Sequence, residues 1–168
     1  MKVIKKHQCI HSIYTLLSSL ALFFVVNVAF ASDQKNTSFK MSEHAEISQN
    51  WSRETFKFAK TGAAYFTIFN THHASTLVLS HAAVDQNIAS MVQIHETVME
   101  DEIMSMMEVE TGVKILPQQT VNFLPGGKHL MFMGLEKPFT KGDSVSVVLH
   151  FEDGSSLPIE LPVVDVRQ

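Results

Sequence analysis

Short runs of alternating apolar and polar residues, separated by turn-forming residues, recur along this chain at regular spacing. Nine such runs are rich in β-branched or aromatic side chains, and they cover residues 46–51, 63–70, 76–83, 91–98, 103–109, 120–124, 129–134, 144–152 and 156–164. No convincing amphipathic helical pattern and no repeat of fixed period interrupts them. Regularly spaced short strands of this kind predict an all-β sandwich or barrel. We therefore expect a single all-β domain of eight or nine strands.

The start of the chain has the three parts of a secretory signal peptide. Basic residues precede an apolar segment at residues 16–28, which leads into an Ala-x-Ala cleavage pattern at residues 29–31. We therefore expect residues 1–31 to be a cleaved signal peptide. Residues 32–43 are polar and are expected to form a flexible leader, and residues 44–165 are expected to form the folded domain.

An uncleaved membrane anchor is the alternative for this segment, because residues 13–31 approach the length that spans a bilayer. Ser18, Ser19 and Asn27 interrupt its apolar character, and with the cleavage pattern they favour removal. Cys9 precedes the apolar segment, so it does not stand where a lipid-carrying cysteine would follow such a segment. We expect a secreted monomer without stable membrane insertion.

Cys9 is the only cysteine, which leaves the expected mature chain without a thiol. That composition excludes a disulfide framework and a thiolate metal ligand. The same part of the chain carries 10 basic and 17 acidic residues, a net charge near −7. Nucleic-acid-binding proteins are typically basic, so no nucleic-acid partner is expected.

Two histidines and several methionines in residues 95–131 fall on shared strand faces. Residues two apart in a strand point to the same side of a sheet. His95 therefore lies on the polar face of its run, and Met106 lies on a face flanked by glutamates. His129 and Met131 share a face in the third run and could act together as a two-donor fork.

The opposite faces of these three runs are apolar. Methionines on the carboxylate-flanked face are therefore not obvious core residues, whereas the apolar faces are expected to pack inward. Those apolar faces contain Val92, Ile94 and Val98, then Ile103, Met107 and Val109, and finally Leu130 and Phe132. Trp51 and the phenylalanines are also expected to fill the core.

Thioether and imidazole donors together favour a soft metal ion. Methionine sulfur is a poor ligand for Zn²⁺, Ca²⁺ or Mg²⁺ and a good one for Cu(I), which imidazole also suits. The pattern therefore indicates Cu(I) binding. The alternation alone leaves a second interpretation open, in which the methionines are flexible core fillers and the histidines are ordinary surface residues.

The spacing of these residues resembles that of the periplasmic CuA chaperone family (PCuAC), small secreted cupredoxin-like proteins that bind Cu(I). Ten residues separate His95 from Met106, and twenty-two separate Met106 from the His129-x-Met131 pair. Flanking segments that are also similar span residues 51–53, 61–67, 95–96 and 124–135. The resemblance covers roughly residues 44–165. It implies a Greek-key β-sandwich or barrel in which His95, Met106, His129 and Met131 bind copper.

The chain departs from the family pattern at two places. Many members have a methionine two residues after the first histidine, where this chain has Thr97, so that extra thioether is missing. Some members carry a His/Met-rich C-terminal tail taken to hold Cu(II), whereas residues 164–168 of this chain read Val-Asp-Val-Arg-Gln. A second copper site at the C-terminus is therefore not expected.

The resemblance implies a copper chaperone, not an enzyme, that delivers Cu(I) to the CuA domain of cytochrome c oxidase, directly or with a Sco-type thiol protein. The residues themselves do not separate delivery from copper sequestration for tolerance. They also leave open a metal-free β-sandwich interaction module. Whether Met104 or Met133 assists the four ligands is open as well.

Other histidine-containing segments predict no site. Residues 95–99 read His-Glu-Thr-Val-Met, which lacks the second histidine of a zinc-protease motif and lies in a strand pattern. His72 and His73 are expected in an exposed turn. Met41 and His44 lie at the polar start of the expected mature chain, and no role is assigned to them.

Overall fold

The computed structural model describes residues 40–100 and 103–165, and this part of the chain consists of strands and connecting turns. The expected signal peptide and the leader up to residue 39 lie outside the described residues. The strands are β1 (Lys40–Met41), β2 (Ala45–Arg53), β3 (Thr61–Asn70), β4 (Leu77–Val84), β5 (Ala89–Glu100), β6 (Ile103–Glu108), β7 (Val113–Ile115), β8 (Thr120–Phe123), β9 (Lys128–Leu135), β10 (Ser144–Phe151) and β11 (Ser155–Val164). Within the described ranges, no helix has the length and apolar character needed to cross a membrane.

Each of the nine predicted runs corresponds to one of these strands, and the all-β prediction is confirmed. The sequence pattern did not predict β1 and β7, which have two and three residues. β1 falls inside the segment that was expected to be a flexible leader. There Lys40 pairs with Ser155 in parallel register, and the Ser42 amide donates to the Ser156 carbonyl at 3.0 Å. Lys40, Met41 and Ser42 are therefore joined to β11 by backbone pairing.

Hydrogen bonding connects the strands in the order β6-β5-β9-β8-β3-β2-β11-β10-β4-β7, with β1 beside β11 and β9 also paired to β3. Most neighbouring strands are antiparallel. β11 joins the two parts of the sheet, because one segment of it pairs with β10 and another with β2. Its residues 156–162 pair with β10, while Val163 and Val164 pair in parallel with Ser52 and Arg53 of β2. One continuous path of strands thus encloses the core.

The core is formed by alternate residues of these strands. Phe66 on β3 stacks on Phe123 of β8 with ring centroids 4.2 Å apart, and Leu130 and Phe132 of β9 are fully buried. The prediction that Trp51 and the phenylalanines fill the core is wrong for several of them, including Phe69, which is only half-buried. Phe56 and Phe58 are 74% and 78% exposed, and Trp51 is half-buried and packs on Tyr65 at a centroid distance of 4.5 Å.

The predicted inward face of β6 is also wrong. Ile103 and Met107 are 65% and 52% exposed, whereas Val109, just after the strand, packs against the core. β6 is the end of the strand path, and among the described strands it pairs only with β5. The outer half of the β5–β6 hairpin therefore has solvent on both faces, and its alternation does not report burial.

Candidate metal centre

The four predicted ligands lie on one face of the neighbouring strands β6, β5 and β9, opposite the core. His95 of β5 pairs directly with His129 of β9. Met131 pairs with Gln93, so it follows the two histidines along the same face. Met106 of β6 pairs with Thr97, which places it on the other side of His95. The face is an outer one because the residues between, such as Ile94 and Leu130, are buried in the core.

Four rings form a row across this face. The centroids of His95 and His129 are 6.0 Å apart, those of His129 and Tyr65 are 6.2 Å apart, and Trp51 covers Tyr65 from β2. Packing against this row leaves His129 only 5% exposed. Burial also raises the pKa of the Tyr65 hydroxyl, and the positive charge of Arg53 partly offsets that rise. The rings of Tyr65 and Trp51 therefore cover one side of the histidine pair.

A Pro-Gly-Gly turn between β8 and β9 determines the tautomer of His129. Gly126 has φ of +79°, a left-handed conformation that glycine adopts without steric cost. The turn brings the Gly127 carbonyl 3.0 Å from Nδ1 of His129. A carbonyl only accepts, so Nδ1 must carry the proton, and Nε2 is left with a free lone pair.

His95 presents the other ring nitrogen. Its Nε2 lies 3.2 Å from the Gln93 side-chain oxygen and donates to it, so the lone pair is on Nδ1. Nδ1 is buried and is the one buried side-chain nitrogen or oxygen without a hydrogen-bond partner among the described residues. An unpaired buried acceptor costs about 1–3 kcal/mol, which a bound cation would recover.

The surroundings of His95 favour its neutral form. Burial lowers its pKa, the neighbouring His129 lowers it further, and the carboxylate of Glu108 partly opposes both effects. Glu108 pairs with His95 across the β5–β6 ladder. A neutral imidazole is the form that binds a metal, so this environment favours ligation near neutral pH.

The two methionines differ in how close they lie to the histidines. Met131 is half-buried two residues from His129, and it borders a cavity of about 430 Å³ that Arg53 and Phe56 also line. Met106 is 53% exposed and lies one strand beyond His95. The structure therefore places His95, His129 and Met131 on adjacent strands of one face, and Met106 on the same face one strand farther out, in the hairpin.

Several features that hold this set were not predicted from the sequence. Gln93 and the Gly127 carbonyl orient the two imidazoles, and Tyr65 supports His129. An ion pair between Lys128 and Glu96 joins β9 to β5 beside the histidines. Gln93 had one signal in the sequence, since it lies two residues before His95 on the same strand face.

Four other described histidines have structural partners. His72 accepts hydrogen bonds from the Ala74 and Ser75 amides at Nδ1, and its ring meets that of His44 edge-on at 4.7 Å. His81 and His150 stack at 4.6 Å on β4 and β10. Within the described ranges, no group of three or more histidine, cysteine, aspartate or glutamate side chains is placed to hold a metal ion.

Comparison with known proteins gives one family and a set of related structures. The model of the LpqE-like family, described as "Putative lipoprotein LpqE-like", matches residues 45–163. A protein of Leifsonia xyli subsp. xyli named "Putative lipoprotein Lxx21020" is 34% identical over 128 residues, which is 75% of this chain and 73% of that protein.

Among solved structures, the copper-bound PCuAC domain from PmoF2 is similar, with a TM-score of 0.58 and 18% identity, covering 73% of this chain and 93% of that domain. The CuI-DR1885 solution structure from Deinococcus radiodurans has a TM-score of 0.53 and 20% identity, covering 79% and 85%. These similarities confirm the predicted cupredoxin-like β-sandwich or barrel fold.

Proposed function

Because the chain belongs to the LpqE-like family, a family of the PCuAC type, we propose that it is a copper chaperone that carries Cu(I) on the outer face of β5, β6 and β9. Two of the similar solved domains are named as copper-bound forms. Their names motivate copper as the cargo, and the donor atoms of this chain support the choice.

The single observation that carries the proposal is the pair of imidazole lone pairs on adjacent strands. Nδ1 of His95 is buried without a hydrogen-bond partner in the described part of the chain. Nε2 of His129 is left free because its other nitrogen donates to Gly127. Two neutral nitrogen donors that face one sheet surface, with thioethers beside them, suit a soft monovalent cation.

In the proposed site, His95 and His129 hold Cu(I), Met131 supplies the nearer thioether and Met106 the outer one. The ligand set is neutral, so binding needs no loss of a thiol proton, and thioethers favour Cu(I) over Cu(II). Zn²⁺ would find only two good donors, because it prefers imidazole, thiolate and carboxylate. The proposed site therefore selects Cu(I) over Zn²⁺ because its thioether donors are soft.

We place this activity in the periplasm, since the N-terminal 31 residues have the sequence pattern of a secretory signal peptide. The copper acceptor is proposed to be the CuA domain of cytochrome c oxidase, reached directly or with a Sco-type thiol protein. A thiolate-bearing acceptor can displace thioethers one at a time, which the exposure of Met106 and the partial exposure of Met131 permit.

The test is a competition titration of the mature protein with a Cu(I) chelator under reducing conditions, alongside a Zn²⁺ titration. We expect Cu(I) to bind far more tightly than Zn²⁺. His95→Gln should weaken Cu(I) binding at least about tenfold, because even loss of an outer-shell partner of a metal ligand costs that much. His81→Gln is the control, since His81 is an exposed histidine on β4.

X-ray absorption of the copper-loaded protein should contain both Cu–S and Cu–N scattering. The proposal is wrong if Cu(I) and Zn²⁺ bind equally well, if the spectrum lacks Cu–S scattering, or if His95→Gln and His81→Gln bind copper alike.

A further inference from the structure

Three exposed methionines occupy the outer half of the β5–β6 hairpin on the same face as the histidine pair. Met99, Met104 and Met106 are 68%, 62% and 53% exposed. Met99 pairs with Met104, and the next pair on that face is Thr97 with Met106. Only Met106 belongs to the ligand set described above, so two thioethers remain without a role.

The hairpin register places the three methionines as neighbours on one face. The Val109 amide donates to the Ile94 carbonyl at 2.8 Å, and hydrogen-bonded and non-hydrogen-bonded pairs alternate along an antiparallel ladder. Counting from that pair, Met99 and Met104 form a non-hydrogen-bonded pair, in which the Cα atoms are only about 4.5 Å apart. Met106 follows Met104 two residues later on the same face, and methionine side chains are long and flexible.

Core packing does not explain these methionines, because none of the three belongs to the buried cluster. A generally apolar surface on the hairpin does not explain their distribution either. On the opposite face, the positions of β6 hold Ile103, Ser105 and Met107, a mixture of side chains. On the face that leads to the histidines, the exposed apolar side chains are Met99, Met104 and Met106, with Thr97 and Glu108 beside them. Each of these three apolar side chains carries a sulfur donor.

We propose that Met99, Met104 and Met106 form a second, outer Cu(I) site at which the ion is received before it moves to the histidines. Three thioethers are a neutral, soft donor set suited to Cu(I). The inner destination rests on the proposed function, whereas binding at the hairpin stands on the methionines alone.

Movement between the two sites is a ligand exchange at constant oxidation state. The Cu–S bonds to Met99 and Met104 break as Cu–N bonds form to His95 and His129, while Met106 stays bound. No electron is transferred, and the exchange is written for the tautomers that the hydrogen bonds to Gly127 and Gln93 indicate, in which Nε2 of His129 and Nδ1 of His95 carry the lone pairs. Met106 suits this role because it pairs with Thr97, the residue between His95 and Met99 on that face.

The experiment follows methionine methyl groups by NMR during titration with Cu(I) alone, kept reduced. In the wild-type protein, the Met99 and Met104 methyl signals should shift. They should still shift in the His95→Gln/His129→Gln variant, which lacks the inner nitrogen donors. Amide spectra of β3 and β9 check that this variant is folded. If it is not, Cu(I) is added to the wild-type protein beyond one equivalent, when His95, His129 and Met131 hold the inner ion and Met106 is available to the outer one. Met99→Leu/Met104→Leu should lose that second equivalent.

Met107→Leu is the matched control, since Met107 is 52% exposed on the other face of the same hairpin. It should leave stoichiometry and the Met99 and Met104 shifts unchanged. The inference is overturned if the Met99 and Met104 methyl signals do not shift at any ratio of Cu(I) to protein. It is also overturned if Met99→Leu/Met104→Leu binds as much Cu(I) as the wild type. Failure of the proposed function is a separate result, because it would leave the imidazole signals of His95 and His129 unshifted.

Discussion

Hydrogen bonds to His95 and His129 select which ring nitrogen each residue offers to a metal. The backbone carbonyl of Gly127 fixes one ring, and the side chain of Gln93 orients the other. One histidine therefore offers Nε2 and the other Nδ1. This difference follows from where each partner lies: the Gly127 carbonyl belongs to the turn before β9, and Gln93 is on the same strand as His95.

Replacement of Met131 by leucine separates a ligand from a packing residue. The change keeps volume and apolarity, and such swaps usually cost less than about 1.5 kcal/mol of stability. We expect weaker Cu(I) binding in a chelator competition and a nearly unchanged melting temperature. Met91→Leu is the control, because Met91 is a half-exposed methionine on the same sheet face. Lost stability with intact copper binding would assign Met131 to packing.

His150 should make the protein less stable in acid. Its pKa is lowered by burial and by the stacked ring of His81. On β11 it faces the Ser156 hydroxyl, and the nearest carboxylate farther along that strand is Glu160. Since unfolded histidine titrates near pH 6.5, the unfolded state binds more protons just below that pH. The free energy of unfolding should therefore fall as pH drops through about 6.5 toward the lower folded pKa.

Urea unfolding at a series of pH values measures this dependence. His150→Gln should flatten the slope below about pH 6.5 without removing it, because burial and His129 also lower the pKa of His95. His73→Gln, at an exposed turn residue, should leave the slope unchanged. A slope that His150→Gln does not alter would contradict the assignment.

Among the elements, the turn before β9 has the most direct effect on the proposed copper site. Gly126 and Gly154 have nearly the same φ, +79° and +78°, and a Cβ at either would meet nothing within 4 Å. Alanine at either position should therefore cost about 1–2 kcal/mol through left-handed backbone strain alone. Only the turn with Gly126 carries the carbonyl that orients His129.

We expect Gly126→Ala and Gly154→Ala to lower the free energy of unfolding by similar amounts. Copper affinity should fall in Gly126→Ala and stay at the wild-type value in Gly154→Ala. Unfolding titrations and chelator competition on the same two samples provide the comparison. Equal copper affinities in the two variants would show that the turn does not control the ligand.

Alternation predicted the long strands because each of them places one face on the core. β1 and β7 were missed because two or three residues are too few to establish a period. The faces of β6 were assigned wrongly for a different reason. Alternation reports the side on which a residue lies, but whether that side is covered depends on a second layer, and the end strand of the path has none over its outer half.

The same limit applies to the site. Strand parity could place His95 on a polar face and His129 beside Met131, and the family resemblance supplied the ligand set. Parity could not show that His95 and His129 are direct partners, because register between strands depends on turns and distant pairings. The sequence could not indicate the role of Gly127, because Gly127 contributes a backbone carbonyl, a group that every residue has.

For the whole molecule, charge is the property most relevant to partner recognition. The chain beyond the expected signal peptide carries 17 acidic and 10 basic residues. A negatively charged carrier is attracted to a basic docking surface, and such steering mainly raises the association rate and weakens with added salt. The proposed copper face itself includes Glu108 next to His95.

Copper transfer to an acceptor therefore has a defined kinetic signature. The Cu(I)-loaded protein is mixed with an apo-CuA domain or a Sco-type thiol protein. Transfer should be faster than spontaneous release of copper, because incoming thiolates displace Met106 and Met131 before the bonds from copper to the histidines break. Stopped-flow mixing measures this rate, with a small-molecule chelator at low concentration reporting unassisted release. Added salt should slow the protein-to-protein step, since docking depends on charge. If transfer to the acceptor is no faster than unassisted release at every salt concentration tested, copper storage is favoured over delivery.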